Sequence, residues 1–110
     1  MPIYSTGPIE KEPLVTQLRL KTLNNSNVTV TVRATIYRLN GIKDIFTTGT
    51  FTLQRNESSF ITVNIPNLVQ YEVQFEAPNA NVLVAAFAVR SDGSFSASDT
   101  VRSGGMVTIG

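Results

Sequence analysis

The chain has 110 residues, 42% of them hydrophobic and 15% charged, with nine Lys or Arg against eight Asp or Glu and with neither cysteine nor histidine. That length suits a single domain, at about 100–150 residues each, and a net charge of +1 gives no basic field with which to hold nucleic acid. Without Cys or His the usual zinc sites, thiol nucleophiles, haem ligands and imidazole bases are excluded, and no disulfide can form.

Residues 1–13 hold Pro2, Gly7, Pro8 and Pro13, with Glu10, Lys11 and Glu12 between them. Proline fixes its own φ and drives the preceding residue to extended geometry. The segment is therefore expected to be an extended N-terminal arm, followed by a β-sandwich domain over residues 14–110. Its apolar residues Ile3, Tyr4 and Ile9 have nothing within the arm to pack on. One reading is a frayed terminus. The other is a connector that docks on a neighbouring subunit, because the prolines lower the entropy lost on ordering and an extended segment can add to an open sheet edge.

Leu14, Leu18 and Leu20 alternate with Gln17, Arg19 and Lys21 in a first strand. In a second, Val28, Val30, Val32, Ala34 and Ile36 alternate with Thr29, Thr31, Arg33, Thr35 and Tyr37, the period of two expected of a half-buried strand. The polar run from Asn24 to Asn27 predicts a hairpin between these two. Asn40-Gly41 is a second hairpin signal, leading into residues 42–53, where Gly49 marks a bulge or a break. Residues 60–65 form the next strand, stopped by Pro66.

Tyr71, Val73, Phe75 and Ala77 then alternate with Glu72, Gln74 and Glu76. Residues 82–89 are apolar on both sides, which predicts a central strand with both faces covered. Asp92-Gly93 turns the chain into residues 94–100, and a short last strand over 106–109 follows Gly104-Gly105. Seven or eight short antiparallel strands with turn signals every 8–12 residues or so predict an all-β jelly roll or β-sandwich. No apolar run nears the roughly 20 residues that cross a bilayer as a helix, and no secretory signal pattern opens the sequence. The Asn-x-Ser/Thr matches at Asn24, Asn27 and Asn56 read as turn asparagines.

Chemistry is sparse. Glu72 and Glu76 stand four apart on one strand, about 13 Å, too far for a glycosidase pair, and read as a solvated face. Asp44, Asp92 and Asp99 are scattered, without the acidic alternation of a calcium loop. Gly104-Gly105 precedes a strand instead of the helix that a phosphate loop needs. The Thr29/Thr31 and Thr50/Thr52 pairs read as outward residues suited to the pleat. Neither a catalytic residue nor a cofactor or metal is expected, and the chain is read as a non-enzyme.

The arm sequence from Pro2 to Ile9 (Pro-Ile-Tyr-Ser-Thr-Gly-Pro-Ile), followed by Thr/Val-rich strands such as the run from Val28 to Arg33, resembles the endospore appendage fibre subunits of Bacillus-type spores. The resemblance spans the whole chain in architecture. It implies a self-assembling extracellular fibre on the spore surface, in which each jelly roll receives a neighbour's N-terminal connector and subunits stack head to tail. It places the connector role on Ile3, Tyr4, Thr6, Gly7, Pro8 and Ile9. In the better known types cysteines in the connector join subunits covalently, so a cysteine-free chain implies a non-covalent, pilus-like homopolymer.

The resemblance also implies, as partners, further copies of the chain, an anchoring protein and a collagen-like tip protein of the spore surface, with neither nucleic acid nor membrane. Two alternatives stand beside it. One is a β-sandwich binding module for carbohydrate or a surface partner, whose signature would be an exposed platform at Tyr37 or Tyr71. The other is a capsid or tail accessory jelly roll. Which of Phe51, Phe60, Phe75, Phe87 and Phe95 would line an acceptor groove is left open by the sequence.

Overall fold

Ten strands follow one another in a computed structural model that describes residues 2–102 and 105–109, apart from the side chains of Ala97, Ser98, Asp99 and Arg102. They are β1 (Ile3–Ser5), β2 (Ile9–Glu10), β3 (Val15–Asn24), β4 (Val30–Leu39), β5 (Lys43–Leu53), β6 (Ser58–Asn64), β7 (Gln70–Glu76), β8 (Val82–Arg90), β9 (Phe95–Arg102) and β10 (Val107–Ile109). All pairings are antiparallel. One sheet runs β10-β1-β7-β4-β5, with β2 also on β7, and the other runs β6-β3-β8-β9. The chain is an all-β sandwich, jelly-roll-like in architecture.

Alternation places the core as expected. Leu18 and Leu20 from β3, and Val82, Val84, Ala86 and Ala88 from β8, meet Val32, Ala34 and Ile36 from β4, Phe51 and Leu53 from β5, and Tyr71, Val73 and Phe75 from β7. Burying such side chains contributes about 25 cal/mol per Å² of apolar surface before entropy losses. The Asn40-Gly41 turn joins β4 to β5 with Gly41 at φ +75°, and Asp92-Gly93 joins β8 to β9 with Gly93 at φ +89°.

The hairpin expected between the first two sandwich strands is absent, because β3 and β4 lie in different sheets. The reason is Asn24, which is fully buried. Its Nδ2 donates to the carbonyls of Val28 at 2.7 Å, Leu53 at 3.1 Å and Gln54 at 3.2 Å, while its Oδ1 accepts from Ser26 N at 3.0 Å and Ser26 Oγ at 2.6 Å. A buried amide needs its partners, and these draw the chain over the end of the sandwich to the opposite sheet. Val28 is thereby left outside β4 and exposed.

Gly49 breaks nothing, since β5 runs through it and the register shift lies between Ile36 and Tyr37 on β4, opposite Thr47 and Ile45. A Cβ at Gly49 would come within 2.7 Å of Ile61 Cδ1, the end of a flexible side chain of β6 that would have to turn aside. β8 is central, between β3 and β9, but its outer face is not covered: Leu83 is 45% exposed.

Candidate functional site: the N-terminal strand and its slot

The arm lies in the sheet of its own chain. β1 occupies a slot between β7 and β10, with Ile3 opposite both Glu76 and Ile109, Tyr4 opposite Phe75 and Thr108, and Ser5 opposite Gln74 and Val107. The ladder continues beyond β1. Ala77 N donates to the Pro2 carbonyl at 3.1 Å, Thr6 N to the Val73 carbonyl at 3.0 Å, and Lys11 N to the Val69 carbonyl at 2.7 Å. Ile9 sits opposite Tyr71.

Between Ser5 and Ile9 the arm carries one residue more than the stretch of β7 it faces, a bulge in effect. Gly7 absorbs it at φ +69°, in the left-handed region where a side chain is strained. The Thr6 hydroxyl fills the gap in the ladder by accepting from Val73 N at 3.0 Å, and Gly7 N donates to Ser5 Oγ at 3.0 Å. These local bonds make Ser5-Thr6-Gly7 a defined kink.

Tyr4 and Ile9 pack against the core, supplying the apolar partners that the arm lacks in itself. Ser5 points to the other side and is buried, donating from its hydroxyl to Glu72. Glu72 also accepts from Lys43 Nζ of β5 at 2.7 Å and from Gln74 Nε2 at 3.1 Å. Lys43 in turn lies 4.3 Å from the centroid of the Tyr37 ring. Burial raises the pKa of Glu72, but the bonds from Lys43, Ser5 and Gln74 outweigh it and hold the carboxyl below its ordinary range. The expectation of a solvated carboxylate face thus fails at Glu72, which three neighbours enclose, while Glu76 stays at the surface, 3.0 Å from Arg33.

A second anchor holds the crossing of the arm from one sheet to the other. Glu12 receives Arg90 Nε at 2.8 Å and Nη2 at 3.2 Å, and Ser96 Oγ at 2.5 Å. The bonds from Arg90 and then Ser96 lower its pKa. Val15 N closes a turn on the Glu12 carbonyl at 3.0 Å. The arm is therefore held as a strand between two polar anchors, one on each sheet. Of the connector residues, Ile3, Tyr4 and Ile9 are strand residues, Thr6 and Gly7 form the kink, and Pro8 is exposed beside it.

Sequence reasoning missed Ser5, Glu12 and Glu72. A Ser-Thr-Gly run after a short apolar pair was the available signal for a kinked strand. The platform expected of a binding module is absent at Tyr71, which is fully buried, and Tyr37 is half-buried under Lys43. Phe51 and Phe75 are buried in the core, whereas Phe60 and Phe95 are exposed.

No family model and no curated protein matches the chain. Its fold is similar to that of a solved Thermotoga maritima protein, the crystal structure of Thermotoga maritima 1070, with a TM-score of 0.56 at 13% identity over 98% of this chain and 90% of that one. At that identity the likeness is one of fold, a β-sandwich of two antiparallel sheets.

Proposed function

We propose that the chain is a structural, non-enzymatic subunit that assembles non-covalently into an extracellular fibre, a spore appendage, by docking its N-terminal arm into the sandwich of a neighbour. The observation that carries this reading is the insertion of β1 between β7 and β10 as a strand tied to the sandwich through residues 11–14. A slot that accepts this strand from its own chain accepts the identical strand from the next, with the same hydrogen bonds. Exchange of an identical element is a low-cost route to assembly, and head-to-tail contacts that do not close propagate as filaments. The resemblance to endospore appendage subunits supplies the place, the spore surface.

Ile3 and Glu76 are directly opposed, close enough for a cystine when both are replaced, and the chain has no other cysteine. The doubly substituted chain, Ile3→Cys with Glu76→Cys, is oxidised after assembly and run on a non-reducing gel. Exchange gives a ladder of covalent multimers, alongside fibres in negative-stain electron microscopy that a chain lacking residues 2–12 does not form. A cross-linked monomer, or fibres from the truncated chain, would refute arm docking.

A further inference from the structure

The outer face of the β6-β3-β8-β9 sheet is finished unlike the rest of the surface. Phe60 is 57% exposed and Phe95 45% exposed. The Arg19 guanidinium lies between them, 5.2 Å from the Phe60 centroid and 5.7 Å from that of Phe95. Phe87 stands 5.4 Å from Phe95, ring centre to ring centre, and carries Lys21 Nζ at 5.1 Å. Leu83 extends the apolar surface along β8.

Neither Arg19 nor Lys21 has a carboxylate partner among the described residues, and Arg19 Nε is buried against the rings without a hydrogen bond. The rings hold the two cations by cation–π attraction and leave their charge open on the solvent side. Exposed aromatics interleaved with Arg have the composition of the centre of a protein interface.

We propose that this face is a docking surface for a partner protein that presents carboxylates set among aliphatic side chains. The two open cations call for carboxylates; Phe60 and Phe95 would take either aliphatic side chains or the C–H face of a sugar, and Leu83, which offers no ring to stack on, favours the aliphatic partner. Charge also argues against a second copy of the same face, since pairing it with itself would bring Arg19 and Lys21 against their own equivalents. The proposal does not depend on arm exchange.

Full-length protein is passed over immobilised glutamate–leucine copolymer, polyglutamate and polygalacturonate, at low and at high salt. Retention is expected to be strongest on the copolymer and to weaken with salt. Arg19→Glu should cut it about tenfold and Phe60→Ser severalfold. Arg33→Glu, which makes the same change in net charge on the opposite sheet, should leave it unaltered. Phe60 is an exposed side chain, so its variant carries the test if Arg19→Glu fails to fold.

Equal retention on polyglutamate would mean charge alone, and equal retention on polygalacturonate would mean a sugar occupant. Either result overturns the proposal, as does equal loss in Arg33→Glu or no retention at all.

Discussion

In the sheet that holds the arm, Arg33, Arg38 and Lys43 meet the carboxylates of Glu76, Asp44 and Glu72 at 3.0, 2.6 and 2.7 Å. On the opposite sheet, Arg19 and Lys21 meet aromatic rings. The ion pairs tie β4 to β7, β4 to β5 and β5 to β7, so charge there is spent within the molecule on register. A cation over a ring keeps its charge directed outward. The difference separates a face committed to internal order from one left open to a partner.

The largest effect expected on the first of these sheets comes from beneath it. Phe75 is fully buried on β7, opposite Tyr4 of the arm and Ala34 of β4, and Phe75→Ala should lower stability by about 3–5 kcal/mol in urea unfolding. Next comes Glu72→Gln, which removes the charge that Lys43 and Ser5 gather around; a loss of about 1–2 kcal/mol is expected at neutral pH.

The folded carboxyl of Glu72 titrates below its ordinary 4.5, so its contribution is present above the unfolded pKa and disappears as pH falls through the folded one. Urea midpoints of wild type and Glu72→Gln should therefore converge on acidification; a gap that stays constant would show that the charge is not what matters. Breaking the exposed Arg33–Glu76 pair with Arg33→Ala should cost less than about 1 kcal/mol. Phe60→Ser on the open face should change stability by no more than about 0.5 kcal/mol. A larger loss there would make the aromatic face a structural element and erase the contrast between the sheets.

Strand existence was legible wherever alternation ran on, as in β3, β4 and β7, because a period of two is a direct record of which side faces the core. Sheet membership was not. It turns on Asn24, whose side chain gathers carbonyls from Val28, Leu53 and Gln54, and a turn asparagine reads alike whether it closes a hairpin or carries the chain across. β1 is three residues long and β2 two, too short for any period, and the prolines around them signal extended backbone without saying what it pairs with. The burial of Glu72 was equally hidden, since Ser5 and Lys43, which enclose it, come from strands distant in sequence. The open aromatic face was half visible, as residues 82–89 being apolar on both sides. Among the described residues the expected cover on the outer side is absent, and cationic stems lie there instead.

Among the described residues β10 pairs with β1 alone, so this strand has no place in the sheet until β1 has taken its own. Contacts between strands so far apart in sequence carry a higher loop-closure cost and slow folding accordingly. During synthesis β1 emerges before β7 and must wait for it before it can pair, and β10 must wait for both. An interval thus exists in which the arm and its slot are each unfilled, and under the proposed exchange a neighbouring chain at high local concentration would compete for them on kinetic terms. Under the proposed arm exchange, whether a subunit closes on itself or joins a neighbour would then be set by the rate at which the chain is produced, relative to the rate at which it folds.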